Sequence, residues 1–357
     1  MKIMIEEGNA HRMQLPGEVL IGSGVINQLG EVIQRVVSTR RAILISDKDV
    51  MKIAGDDAVA SLERAKIKTE VTIIQRASDT EVEKSCEVIK RHKSGIVIAL
   101  GGGSVIDTGK LCSTEENQPF VSVPTSAAHD GIASPRASIK MGETSVSVEG
   151  QAPIAIVADT HIIANAPYRF TAAGCGDLIS KITAVRDWRL AHTLGYEYYG
   201  EYSASLSLMG ARVIMENAAT IKPNDEHSIR LVIEALIASG IAMGIAGSSR
   251  PASGAEHKFS HALDRIAPKP ALHGEQCGVG AIMMGYLHAI DWEEIRDALT
   301  TIGAPITAAD LGVTPEHVIE ALNTAHTINP KRYTILGERG LTEKAAKRLA
   351  QNTGVIP

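Results

Sequence analysis

The chain has 357 residues, of which 44% are apolar, 22% charged and 3% aromatic, and its formal net charge is −5. This composition suits one large or two medium globular domains with cores of Ala, Ile, Val, Leu and Met, and it gives no global attraction to nucleic acid or anionic lipid. The four cysteines (Cys86, Cys112, Cys175 and Cys277) are far apart and form no C-x-x-C pair, which argues against a disulfide framework or a thiolate zinc site and leaves nitrogen and oxygen to hold any metal.

The N-terminal stretch "MKIMIEEGNAHRM" has no signal-peptide apolar segment, and no apolar run reaches the length of a bilayer span, so a cytoplasmic protein without membrane insertion is expected. Short β-branched runs then alternate with helical patterns. "EVLIG" (18–22) precedes Ile26, Leu29, Ile33 and Val36 at helical spacing, and "AILIS" (42–46) precedes a helical stretch near 50–65. "VTII" (71–74), a charged helix near 79–93, "GIVIAL" (95–100) and "FVSVP" (120–124) continue the alternation. This pattern predicts a doubly wound α/β domain with a parallel sheet covered on both faces. "RASIKM" (136–141) and "TSVSVE" (144–149), joined by "GE", predict a hairpin ahead of the strand "IAIVAD". From about residue 165 long helical patterns dominate, broken by "KPND", "SSRPASG" and "APKPALHG", so the second half reads as all-helical. The expected boundary separates residues 1–165 from 166–357.

Two loops carry ligand chemistry. "VIALGGGSVIDTGK" (97–110) reads as a buried strand, three glycines and a helix start with Ser104 available as a cap; Gly101, Gly102 and Gly103 let the backbone approach a ligand, and the helix amides face outward to receive phosphate. The same sequence also fits a plain tight turn, since it is neither G-x-G-x-x-G nor a Walker loop. Asp107 lies one turn into the helix, where it complements the dipole or contacts a cofactor. "SVPTSAAHDGIAS" (122–134) leaves the carboxyl end of a strand, where open α/β sheets bind ligands, and Asp47 stands where a carboxylate can hold a ribose.

The third signal is "GAEHKFSHALDRIAPKPALHGEQCGVG" (254–280), with His257 and His261 four apart on one helix face and His273 opening the next segment. Two histidines with a carboxylate are a common metal set when cysteine is absent, and Asp177 in "AAGCGDLISK", read as opening a helix after two glycines, is the candidate carboxylate. Spacing alone leaves open which two histidines bind.

Together "GGGSVIDTGK", "VPTSAAHDGIASPRASI", "GCGDLISK", "GAEHKFSHALD" and "LHGEQCGVG" resemble the dehydroquinate synthase-like superfamily, which includes iron-containing alcohol dehydrogenases and glycerol dehydrogenases. Within it they are similar to the archaeal sn-glycerol-1-phosphate dehydrogenases, in order from about residue 15 to 290. The resemblance implies an N-terminal Rossmann-like α/β domain that binds NAD or NADP and a helical domain that binds metal and substrate. It implies one zinc ion per subunit on Asp177, His257 and His273, with His261 facing the substrate as a catalytic residue. Asp130 and Asp177 are the implied substrate contacts, Asp177 also serving catalysis. The implied cofactor contacts are Gly103, Ser104, Val105, Ile106 and Asp107, with Thr125, Ser126, Ala127, Ala128 and Ser134. The implied reaction reduces dihydroxyacetone phosphate to sn-glycerol-1-phosphate for archaeal phospholipid synthesis, in a homo-oligomer. The alternatives are a zinc-dependent glycerol dehydrogenase and a lyase like dehydroquinate synthase. Lys181 and Arg136 are the candidate phosphate clamps, with a surface charge as the plainer reading of either.

Overall fold

The β-branched runs become strands in the computed structural model, which describes residues 13–141 and 144–357. The first elements are β1 (Glu18–Gly22), α1 (Leu29–Val36), β2 (Arg41–Ser46), α2 (Lys48–Val50), a π-helical turn (Met51–Gly55), α3 (Asp56–Arg64) and β3 (Lys68–Ile73). Then come α4 (Asp79–His92), β4 (Val97–Gly101), α5 (Gly103–Glu115), β5 (Phe120–Pro124), the hairpin β6 (Arg136–Met141) and β7 (Thr144–Glu149), and β8 (Ala155–Asp159). The hairpin's "GE" turn lies outside the described residues, as does the N-terminal segment through residue 12.

Six strands form one parallel sheet in the order β1-β8-β5-β4-β2-β3, and the hairpin forms a separate antiparallel pair. Successive strand residues point to opposite faces, so each central strand feeds two cores. Ala42, Leu44, Ile98 and Leu100 pack on one side with α1 and α3, while Ile43, Ile45, Val97 and Ala99 pack on the other. That second core runs on without a break into the helical half, where it includes Leu178, Leu236, Phe259 and Met283.

The remaining elements are α6 (Thr160–Ala164), α7 (Tyr168–Ile179), α8 (Lys181–Thr193), α9 (Glu201–Glu216), α10 (Glu226–Ala246), α11 (Ala255–Ile266), α12 (His273–Leu287), α13 (Trp292–Ile302), α14 (Pro315–Thr324) and α15 (Glu343–Asn352). By length and composition α10 could cross a membrane, with 21 residues and a mean hydropathy of 1.9 in its most apolar window, which corrects the expectation that no segment is long enough. Arg230 and Glu234 interrupt its apolar pattern and hide its length in the sequence. Here α10 packs on α6, α7 and α9, burying Val232, Leu236 and Ile237.

A second correction concerns Asp177, which does not open a helix. It sits in the last turn of α7, which begins nine residues earlier at Tyr168. The glycines before it are contact residues rather than breakers. A Cβ on Gly174 would collide with the carbonyl oxygen of Ala127, and one on Gly176 with that of Gly274. On α12, a Cβ on Gly274 would in turn strike the carbonyl of Ala173. The two helices therefore meet backbone to backbone, and this closeness brings Asp177 to the start of α12.

Candidate functional site

Gly102 is the extended N-cap of α5, and its carbonyl accepts hydrogen bonds from the Val105 and Ile106 amides. The Gly103 and Ser104 amides ahead of them are left without a protein partner among the described residues, as expected at a helix start. Ser104 is not the cap: it lies in the first turn with an exposed side chain, because Gly102 already supplies the capping backbone. The glycines have separate reasons. A Cβ on Gly101 would come within 2.7 Å of Val105, one on Gly103 would collide with the His129 ring, and only Gly102 faces room, with Ser126 Oγ 3.5 Å away.

Val105 and Ile106 bury their side chains in the core and can offer a ligand only backbone. Asp107 turns toward the hairpin: its Oδ2 accepts from the Ser138 amide at 3.0 Å, and Oδ1 lies 3.8 Å from Lys110 Nζ. Burial pushes its carboxyl above the ordinary range. Thr125, Ser126, Ala127 and Ala128 follow β5, with the Thr125 amide bonded to Gly101 O at 3.1 Å, and Ser134 Oγ accepts from the Arg136 amide at 3.3 Å. Asp47 caps α2, accepting from the Asp49 and Val50 amides at 2.9 and 2.8 Å.

The second half of the site lies where α7, α11 and α12 converge. Ligand atoms of Asp177, His257, His273 and Cys277 all lie within 4.8 Å of one another. His257 Nε2 is 3.6 Å from Asp177 Oδ1, and Cys277 Sγ is 3.5 Å from His273 Nε2. A tetrahedral zinc site with the usual N, O and S bond lengths has edges of about 3.3–3.6 Å, so these separations suit a divalent metal. The thiol corrects the reading that only nitrogen and oxygen are at hand. Cys277 lies one helical turn beyond His273 and shares its face, a relation that a search for C-x-x-C pairs passes over.

His261 stands apart from this group. Its ring stacks on His273 with centroids 5.6 Å apart, Nδ1 lies 3.7 Å from Asp264 Oδ2, and it lines a cleft of about 160 Å³ together with Asp130, His129, Ser134 and Arg136.

Buried partners hold each group in place. His257 Nδ1 donates to Glu256 Oε1 at 2.9 Å, leaving Nε2 to face Asp177; a ligating histidine oriented by a carboxylate is a recurrent arrangement. Glu256 in turn accepts from the Gly254 amide at 2.6 Å and Thr183 Oγ1 at 2.7 Å. Burial, helped by the Lys181 charge, pushes His257 down to about 3, and burial also takes His273 well below the ordinary range. Burial therefore favours the neutral imidazole at both positions, the form that offers a lone pair.

Lys181 is fully buried rather than a surface charge, and its Nζ donates to Asp177 Oδ1 at 2.6 Å and Asp130 Oδ2 at 3.0 Å. Burial lowers its affinity for a proton, but the two carboxylates overcome this and raise it. Asp177 shows the reverse balance, with burial raising its carboxyl and Lys181 and His257 bringing it below its usual value. Its Oδ2 also accepts from the Asp130 amide at 3.0 Å, and each oxygen keeps a second lone pair for a metal. Sequence reasoning missed Glu256 and Cys277 as parts of the site, although each lies beside or one turn from a residue it singled out, and it named Lys181 only as a candidate phosphate clamp, whereas its ammonium is held by Asp177 and Asp130.

Residues 20–167 match the family model of iron-containing alcohol dehydrogenases. A glycerol-1-phosphate dehydrogenase (NAD(P)+) of Methanosarcina acetivorans is 53% identical over 356 residues, with 100% of each chain covered. One from Thermococcus kodakarensis is 52% identical over 350 residues, 98% of this chain and 100% of the relative. Among solved structures, a probable glycerol dehydrogenase from Sinorhizobium meliloti superposes with a TM-score of 0.80 at 19% identity, covering 98% of this chain and 100% of the other. A sulfoacetaldehyde reductase from Bifidobacterium kashiwanohense in complex with NAD+ gives 0.77 at 16%, covering 98% and 100%. These two establish the fold, a parallel α/β sheet followed by a helical region, while the full-length identity establishes more: the chain belongs to the glycerol-1-phosphate dehydrogenases of the iron-containing alcohol dehydrogenase family.

Proposed function

We propose that the protein reduces dihydroxyacetone phosphate to sn-glycerol-1-phosphate with NADH or NADPH, using zinc held by Asp177, His257 and His273. The observation that carries the reading is the convergence of a carboxylate and two buried histidines beside a cleft that also meets the loop after β5. A bound dihydronicotinamide would supply the hydride for C2, with a proton going to the C2 oxygen, to give NAD(P)+ and the alcohol. A bound divalent cation supplies Lewis acidity toward the C2 carbonyl and lowers the barrier by stabilising negative charge on oxygen.

The chain's own residues supply position and protons. Asp130 and Asp177, fixed by Lys181, accept from substrate hydroxyls. His261, with Nδ1 toward Asp264, lines the cleft and holds or relays the proton that ends on the C2 oxygen. The free amides of Gly103 and Ser104 receive the cofactor pyrophosphate, with Val105, Ile106, Asp107, Thr125, Ser126, Ala127, Ala128 and Ser134 around it. This division assigns residues 1–165 to the dinucleotide, with the loop and hairpin from Asp130 to Arg136 reaching the substrate cleft, and residues 166–357 to the metal and the rest of the substrate site.

The test is a substrate comparison with metal-loaded enzyme. NADH oxidation with dihydroxyacetone phosphate, and little with unphosphorylated dihydroxyacetone or with glycerol and NAD+, is the expected result. Preferred oxidation of glycerol, or release of phosphate without net NADH use, contradicts it.

A further inference from the structure

Part of the cleft wall is made of hydroxyls and a guanidinium. The hairpin presents Arg136, Ser138 and Ser147 there, and the segment between α10 and α11 presents Ser249 and Ser253. Behind those two serines lies the half-buried guanidinium of Arg332, whose Nη1 donates to Ser253 O at 2.9 Å and Nη2 to Ser249 Oγ at 2.7 Å. The Arg332 carbonyl accepts from the buried Lys258 Nζ at 2.7 Å. Arg136 donates through Nη2 to Ser147 O at 2.8 Å and to Ser147 Oγ at 3.0 Å.

All of these acceptors are neutral. Among the described residues Arg136, Lys258 and Arg332 have no carboxylate within ion-pair reach, whereas the neighbouring Arg250 is neutralised by Glu197. Asp107, which reaches this side from α5, is committed to the Ser138 amide and Lys110. Burial, helped by the Arg136 charge, pushes the Arg332 guanidinium down to about 10, and the more distant carboxylates of Glu256 and Asp187 offset this only in part. Removing cations from water without a counter-charge is costly, so a set like this is stabilised by an anionic ligand.

We propose that Arg136 and Arg332, with the hydroxyls of Ser249 and Ser253, form the subsite for the substrate's phosphate, and that Lys258 is a positioning residue holding the Arg332 backbone. Guanidinium forks match phosphate geometry, and the serine hydroxyls add donors without charge. Lys181, the alternative clamp, is spent on Asp177 and Asp130 and is unavailable. The assignment rests on the proposed function for the identity of the ligand, a three-carbon phosphate ester whose carbonyl end lies at the metal donors.

The experiment measures calorimetric binding of inorganic phosphate to the metal-loaded enzyme, and the ratio of kcat/KM for dihydroxyacetone phosphate over dihydroxyacetone, in wild type, Arg332→Gln and Arg136→Gln. Loss of one charged hydrogen-bonding group predicts about a 10- to 100-fold weakening of phosphate binding in each variant and a similar fall in the ratio. Arg136 lies on the hairpin outside the apolar core, so its variant keeps the test valid if Arg332→Gln fails to fold. Phosphate affinity and ratio unchanged in Arg136→Gln and in any folded Arg332→Gln overturn the proposal, including the case where phosphate binds only the metal. Wild type inert toward dihydroxyacetone phosphate, but with phosphate binding that the variants lose, sinks the proposed reaction and keeps the subsite.

Discussion

At the start of α5 the protein offers a ligand two backbone amides and scarcely a side chain, whereas between α7, α11 and α12 it crowds carboxylates, imidazoles, an ammonium and a thiol into a few ångströms. The turn depends on what is missing from it. Its glycines leave room for Val105 and His129, and its amides are free because nothing among the described residues takes them. The pocket depends on mutual support, since Asp177, His257 and Lys181 are tolerable in the interior only because each faces a partner. Changes at the pocket should therefore alter affinity and chemistry in large steps, and changes at close backbone contacts should act through packing.

The largest effect should come from the metal donors. His257→Ala or His273→Ala should reduce zinc retention in dialysed protein by more than about 100-fold, far beyond the loss of an orienting partner. His261→Ala should keep its zinc and lose turnover instead; a variant at 261 that elutes metal-free contradicts the division of roles. Glu256→Gln should weaken zinc affinity by about 10- to 100-fold, because the carboxylate that orients His257 becomes an amide. An affinity equal to wild type in competitive chelator titration would mean that Glu256 only fills space.

Away from the charged groups, Gly174→Ala should cost about 1–3 kcal/mol of stability by overpacking against Ala127, read by chemical unfolding. It should loosen the pocket only through α7. The smallest effect concerns pH. Tyr168 donates to Ile302 O at 2.8 Å, and burial raises its hydroxyl to about 12. Its folded value lies above the unfolded value near 10, so its contribution is complete below about pH 10 and is lost as pH rises toward about 12. Tyr168→Phe should show a shallower loss of Tm across that window, and an unchanged slope contradicts the assignment.

The same contrast explains how much the sequence disclosed. Runs such as "AILIS" announced a buried parallel sheet because both faces of each strand are apolar, and the glycine turn announced itself because a strand and a helix flank it. Glycines in "AAGCGD" misled, since a helix break and a helix-to-helix contact call for the same residue. The histidines could be collected from spacing but not sorted by it, because His257 and His261 share a helix face and only the approach of α7 and α12 separates their surroundings. Glu256, and the buried role of Lys181, were illegible for a related reason. A charged residue next to a motif reads as solvated until tertiary packing closes over it.

The central claim is that metal on the Asp177, His257 and His273 donors enables NAD(P)H to make one enantiomer of glycerophosphate. The most direct measurement strips the metal with a chelator, reloads the enzyme with zinc, supplies NADH and dihydroxyacetone phosphate, and resolves the product enantiomers. Activity lost on chelation, restored by zinc and yielding sn-glycerol-1-phosphate is the predicted result. Full activity without metal, or sn-glycerol-3-phosphate as the product, would contradict the account.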